Sequence, residues 1–285
     1  MQKSHHAGAL LQSFLALLAQ QPAVLVQVSS SQGSVPRDAG SWMAVFADAL
    51  VGTVGGGHLE HVAIASARDF LAGGASIAQE PRRFALGPTL GQCCGGVVHL
   101  QSEPVTAADA DSLLVRLTPK LAPLALFGGG HTGQALVNVL STLPVALHWI
   151  DSRDGVFPDD APGDVVCEQS DPPQTAVKNL APQSLVIIMS FSHAEDLDIV
   201  AACLLRQREH GDLPFIGLIG SKTKWATFRH RLGTRGFSDA ELAHVTCPIG
   251  IAGITRKEPE IIAVSVAAQL AQLLEAMTAR RSSVE

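Results

Sequence analysis

Tyrosine is absent from this 285-residue sequence. No mechanism that needs a catalytic tyrosine is open to it, including the Tyr-x-x-x-Lys pair of short-chain dehydrogenases. Basic residues are also in short supply. Twenty Lys and Arg stand against 26 Asp and Glu, giving a formal net charge of −6. With no basic stripe to offset that balance, no nucleic-acid partner is expected. No apolar run reaches the roughly 18–20 residues that cross a bilayer, so no membrane span is expected. The N-terminus, from Met1 to His6, has no basic region leading into an apolar core and a small-residue cleavage site. A cytoplasmic protein is therefore expected. Five cysteines, an odd number, fit a reducing compartment better than a disulfide framework. Internal repeats and low-complexity segments are absent as well.

What is present is material for a core. Hydrophobic residues make up 47% and charged residues 16%, with a mean hydropathy of +0.25. This is a globular composition, and the length suits one large or two ordinary domains.

The stretch from Pro123 to Val137 organises the chain. A short apolar run, Leu124 to Phe127, meets a glycine cluster and then a helical pattern. Gly128, Gly130 and Gly133 fit G-x-G-x-x-G. In that spacing the first glycine turns the chain out of the strand. The second lets backbone approach a phosphate, and the third lets the helix pack on the strand. The helix N-terminus then faces the anion. Pro144 to Ile150 reads as a second strand and ends at Asp151, 18 residues after Gly133, where a ribose-binding carboxylate is expected. The plainer reading, glycines that only shape a turn in a domain with no nucleotide, stays open beside it.

Around this stretch the sequence alternates strands and helices. A helix over 7–20 precedes a strand at Ala23–Ser29, two short strands near Trp42–Phe46 and Leu50–Val54, and a helix to about Leu71. Strands follow at Ala75–Ala85 and Val97–Gln101. Residues 1–103 read as one domain, 104–121 as a link with a short helix, and 122–285 as a Rossmann-like domain. Its later strands fall near Asp164–Glu168, Ser184–Ser190 and Pro214–Ile219, with helices over Ala194–Arg208, around Trp225–Leu232, and over Glu258–Met277. The fold class is α/β: an α+β N-terminal domain followed by a doubly wound parallel sheet.

Chemistry-bearing residues cluster at glycine-rich turns. Cys93 and Cys94, flanked by glycines, are candidates for a thiolate or a soft-metal ligand set. Two small core cysteines are the bland alternative. Zinc is not expected, because no second Cys/His pair stands at finger spacing. Cys247, before Pro248, is a further candidate thiol, whereas Cys167 and Cys203 read as core. Arg37 has the chemistry to clamp a phosphate. His58 and His131 each follow three glycines at a helix start and can donate to an anion. Lys222, at the end of the fifth strand of the second domain, can contact a phosphate. His193 with Glu195 and Asp196 reads as a helix cap, an acid–base group or a metal ligand set.

Seven motifs occur in order: Gly33-Ser-Val-Pro-Arg37, Gly55-Gly-Gly-His-Leu-Glu60, Leu90-Gly-Gln-Cys-Cys-Gly-Gly96, Phe127-Gly-Gly-Gly-His131, Gly217-Leu-Ile-Gly-Ser-Lys222, Cys247-Pro-Ile-Gly250 and Glu260-Ile-Ile-Ala-Val-Ser-Val-Ala-Ala268. Together they resemble the XdhC/CoxI family over about residues 10–275. The resemblance implies an N-terminal XdhC/CoxI domain and a C-terminal Rossmann domain. It further implies a maturation chaperone and not an enzyme. Such proteins bind molybdenum cofactor (Mo-molybdopterin), protect it while a cysteine desulfurase replaces an oxo ligand by sulfur, and help insert it into the molybdenum-binding subunit of xanthine dehydrogenase. Cys93 and Cys94 match the family's cysteine motif and would face the metal or the transient sulfur. The Rossmann site is open to a nucleotide, and the apolar composition makes a homodimer reasonable. The family often carries Thr-His-Asp-His where this chain has Ser190-Phe-Ser-His193, which weakens an acid–base or metal role for His193. The alternative function is an NAD(P)-dependent oxidoreductase that uses the Rossmann domain.

Overall fold

The structure, a computed structural model, describes residues 6–74, 76–77, 80–86 and 95–282. The chain divides into two compact units, Ala7–Pro119 and Lys120–Glu285.

The first unit is a five-stranded antiparallel sheet of order β3-β2-β1-β5-β4. Its strands are β1 (Ala23–Gln32), β2 (Trp42–Val45), β3 (Leu50–Gly52), β4 (Arg82–Ala85) and β5 (Val97–Val105). Alternation along β1 decides what covers each face. Val24, Val26 and Val28 pack with Leu59, Ala63 and Ala67 of α2 (Gly57–Leu71). Ala23 and Leu25 pack with Leu11, Phe14 and Leu18 of α1 (His6–Leu18) and with Leu113 and Leu117 of α3 (Ala110–Leu117).

Residues 104–121, expected as a link, thus hold the end of β5 and the core-forming α3. Pro104 lies within β5, paired with Val24. It is tolerated because β4 reaches only to Leu100, so that side of β5 needs no donor at residue 104.

The second unit is a six-stranded, all-parallel sheet of order β11-β10-β9-β6-β7-β8. The strands are β6 (Ala122–Phe127), β7 (Val145–Asp151), β8 (Val166–Gln169), β9 (Leu185–Ile188), β10 (Phe215–Leu218) and β11 (Val245–Thr246). Counted from β6, this is the 3-2-1-4-5-6 order of the Rossmann fold, whose switch point lies between β6 and β9.

Helices cover both faces. Leu124, Leu126, Leu147 and Trp149 pack against α4 (His131–Leu140) and α8 (Pro259–Ser282). Ala125, Phe127, Val186 and Ile188 pack against α5 (His193–His210) and α6 (Lys222–Thr234). Burial on both sides explains why Leu185 to Ile188 is an unbroken apolar run. The crossover from β8 to β9 is a 3₁₀ segment, Pro173–Asn179, and a short helix α7 (Asp239–Leu242) precedes β11.

Two expectations need correction. Helix α8 is long and apolar enough, by length and composition, to cross a bilayer over Pro259–Thr278. Its Ala263, Val266, Ala267 and Leu270 are nevertheless core residues of the parallel-sheet unit. The reading from runs missed it because Glu260, Ser265, Gln269 and Gln272 interrupt the apolar residues. Cys167, expected in the core, is exposed, because it sits on the edge strand β8.

Candidate functional site

In the parallel-sheet unit, the turn after β6 is shaped by close backbone approach. Gly128 has φ +128°, and a Cβ there would stand 2.1 Å from the Met189 carbonyl oxygen at the end of β9. A Cβ on Gly133 would stand 2.0 Å from the carbonyl oxygen of Gly128. The first and third glycines therefore fix the turn and the helix onto each other. Gly130 differs: nothing lies within 4 Å of where its Cβ would be. It is the N-cap of α4, no side chain caps that helix, and its first turn carries no acid. His131 is exposed at the first helical position. The open donors of this helix start suit an anion.

Asp151 ends β7 beside this turn and is only 3% exposed. Its Oδ2 accepts from Gly129 N–H at 2.6 Å and from Arg153 Nη2 at 2.9 Å. Its Oδ1 accepts from the Arg153 N–H and Nε, both at 2.9 Å. Burial alone would push this carboxyl up. The Arg153 guanidinium and the Arg153 and Gly129 N–H groups outweigh that and hold its pKa below the ordinary value. The Arg153 guanidinium lies 4.8 Å over the Phe191 ring. Next to it, Ser152 Oγ donates to Glu195 Oε1 at 2.8 Å.

A second polar cluster follows along the same strand ends. Asp196, 2% exposed, accepts from Ser190 N–H and Ser190 Oγ at 2.9 and 2.7 Å, and from Lys224 Nζ at 2.6 Å. Lys224 Nζ also donates to the Ile219 carbonyl at 2.8 Å. Gly220 lets this lysine pass, since a Cβ there would stand 2.7 Å from Lys224 Cδ and 3.3 Å from Cys247 Sγ. Burial pushes the Cys247 thiol up to about 11, with Lys224 opposing and Asp196 adding to the rise. Cys247 is thus a neutral thiol at pH 7, poorly suited to act as a thiolate.

In the antiparallel-sheet unit, Gly55, Gly56 and Gly57 take φ of +129°, +75° and +65° and lead into α2. Their turn binds the chain's own carboxylate: Glu60 Oε2 accepts from Val54 N–H and Gly56 N–H, both at 3.1 Å, and from Thr53 Oγ1. Pro36 packs on Gly55, where a Cβ would stand 2.6 Å from Pro36 Cγ, and this brings Arg37 to the same turn. Arg37 and His58 are both exposed. Gly96 N–H donates to the Ser34 carbonyl at 3.1 Å, tying the chain just after Cys94 to the Gly33–Arg37 loop. Cys93 and Cys94 themselves lie outside the described residues.

Of the sequence-read candidates, Gly128, Gly130, His131, Gly133 and Asp151 come together in one corner, and Arg37 and His58 in another. Lys222 is exposed at the first position of α6, and it is Lys224, two residues on, that enters the polar cluster. His193 is exposed and packs edge-on to Phe228; Ser192 caps α5 by accepting from Glu195 N–H. Arg153 and Lys224 were not singled out; Glu195 and Asp196 were named beside His193, and it is these two carboxylates that enter the polar clusters while His193 stays exposed. Ser192-x-x-Glu195 carries the signature of a capping box, but the Glu195 carboxylate turns to Ser152.

Comparison with known proteins agrees with this architecture. The chain matches the XdhC Rossmann domain over residues 124–270 and the XdhC and CoxI family over residues 16–80. It is 24% identical over 262 residues to the uncharacterized protein YqeB of Escherichia coli K12. That alignment covers 88% of this chain but 43% of YqeB, so the chain spans less than half the length of this relative. A crystal structure described as a xanthine dehydrogenase from Bacillus halodurans superposes with a TM-score of 0.74 at 21% identity, covering 95% of this chain and 96% of that one. With the Rossmann match alone spanning more than half of its length, the chain belongs to the XdhC and CoxI family.

Proposed function

We propose that this protein is an accessory factor of xanthine dehydrogenase that binds a molybdenum cofactor, holds it while a cysteine desulfurase supplies sulfur, and delivers it to the molybdenum-binding subunit. The observation that carries the reading is the pair of family matches, an XdhC/CoxI segment followed by an XdhC Rossmann domain in one chain. The description of the similar Bacillus halodurans structure as a xanthine dehydrogenase points the same way.

The residues present fit such a ligand. Arg37 and His58 offer exposed donors at one turn, where they would meet the phosphate and the polar edge of the pterin. Cys93 and Cys94 supply soft sulfur for the metal or the incoming sulfur atom. Among the described residues, no group of three or more His, Cys, Asp and Glu side chains could hold a metal ion. When bound, the cofactor supplies a dithiolene-held metal whose terminal ligand is exchanged. The protein's part is to bind, orient and shield it.

The oxidoreductase alternative has less support. The family matches are to XdhC segments, and a catalytic tyrosine is absent from the sequence. The test is xanthine dehydrogenase purified from cells lacking this protein. The enzyme should be assembled but inactive and short of sulfurated cofactor. Full activity would contradict the proposal.

A further inference from the structure

The Asp151 corner of the parallel-sheet unit is closed by a side chain that has somewhere else to go. A carboxylate has about four acceptor positions. Asp151 uses all of them: Arg153 N–H and Nε on Oδ1, Gly129 N–H and Arg153 Nη2 on Oδ2. The acid that stands where Rossmann folds bind a ribose therefore has no acceptor left for a hydroxyl. Two of its four donors are backbone groups fixed by the turn. The other two belong to one guanidinium, whose side chain is 36% exposed.

Beside it lies a carboxylate with the opposite problem. Glu195 Oε1 accepts from Ser152, but Glu195 Oε2 is buried and has no hydrogen-bond partner among the described residues. A buried acceptor left without a donor is costly. Arg153 already feels this charge. Pairing with Asp151 raises its pKa most, burial opposes, and the charges of Asp151 and Glu195 raise it further. The Phe191 ring under the guanidinium, at 4.8 Å, offers a flat face on which it can shift without losing its stacking. The nearby start of α4 has uncapped donors and open space over Gly130, while α5 and α6 are capped by Ser192 and Ser221.

We propose that Arg153 is a two-position latch on a ribonucleotide site. It closes Asp151 as seen here, and passes to Glu195 when the cis-diol of a ribose takes the two acceptor positions it releases. The phosphates of the same ligand lie at the N-terminus of α4, over Gly130. The ligand class is a nucleoside diphosphate or dinucleotide with a free 2′-hydroxyl. A 2′-phosphate would face the Asp151 carboxylate and be repelled. The inference does not rest on the molybdenum reading, because every residue it uses belongs to the parallel-sheet unit.

The test is calorimetric titration of the full chain with ADP and with 2′-deoxy-ADP. Wild type is compared with Arg153→Ala and Glu195→Gln. Removing the latch should tighten ADP binding by about tenfold, the closed fraction no longer competing. The variant should still prefer ADP over the deoxy form by at least about fivefold, because Asp151 reads the hydroxyl. Glu195→Gln should bind ADP more weakly than wild type, since the receiving charge is gone. Equal affinity for the two nucleotides in Arg153→Ala, or binding of neither, overturns the proposal. Should Arg153→Ala not fold, the other two proteins decide. A preference for ADP in wild type, with weaker ADP binding in Glu195→Gln, supports the latch. Equal ADP and deoxy-ADP affinities in wild type overturn it.

Discussion

A methyl group on Gly133 would stand 2.0 Å from the carbonyl oxygen of Gly128, although the two residues are five apart in sequence. The first turn of α4 and the end of β6 are thus locked together by the absence of one carbon. Gly133→Ala should cost about 2–4 kcal/mol, because backbone and not a flexible side chain is in the way. Gly130→Ala, with nothing within 4 Å and φ −72°, should cost no more than about 1 kcal/mol, the N-cap preference for glycine over alanine. Urea denaturation of both variants checks the contrast. Equal losses would mean that the turn is not held by this contact.

Lys224 and Asp196 form a pair whose side chains are 12% and 3% exposed. Lys224→Met keeps most of the volume but leaves Asp196 as a buried charge with only Ser190 to solvate it. A loss of about 3–5 kcal/mol is expected. Lys222→Met, two residues away and exposed, should be nearly neutral. The same denaturation experiment separates them.

Acid should weaken the fold in a defined range. Asp151, Asp212 and Glu241 all have carboxyl pKa values held below their ordinary ones, Glu241 from 4.5 to about 2. A group depressed in the folded state stabilises above its unfolded pKa, and that contribution is lost as pH falls toward the folded value. The melting temperature should therefore decline below about pH 4.5. Asp151→Asn should be less stable at pH 7 and show a shallower decline. An identical slope would show that Asp151 does not titrate as described.

Cys247 should be slow to alkylate. With its thiol pushed up to about 11, the thiolate fraction at pH 8 is very small. Its rate with iodoacetamide should be about a hundredfold below that of an unperturbed free thiol. Mass spectrometry of a time course reads this directly. Rapid labelling would mean that the pocket around Lys224 and Asp196 opens readily.

What the sequence made legible was local. Gly128, Gly130, Gly133 and Asp151 lie within one strand–helix–strand unit, and the spacing alone placed Gly128 and Gly133 at the close approaches of the turn. Leu185 to Ile188 announced a strand buried on both faces. Pairings made across elements stayed hidden. Asp151 and Arg153 look like an ordinary acid and base two residues apart until the turn brings the Arg153 guanidinium and the Gly129 N–H onto one carboxylate. Lys224 differs from Lys222 only in helix phase, and phase depends on where Ser221 caps α6. The end of β5 was obscured by Glu103-Pro104, which reads as a breaker but lies beyond the reach of β4. Strand β11 has two residues, Val245 and Thr246, too few to carry a pattern.

The most direct measurement of the central claim is cofactor content. The protein is purified without oxygen from a molybdenum-replete host, beside a Cys93→Ala/Cys94→Ala variant, and molybdenum and oxidised-pterin fluorescence are assayed. The account predicts both signals in the wild type and their loss in the variant, with folding unchanged. Wild-type protein that carries neither metal nor pterin would contradict it.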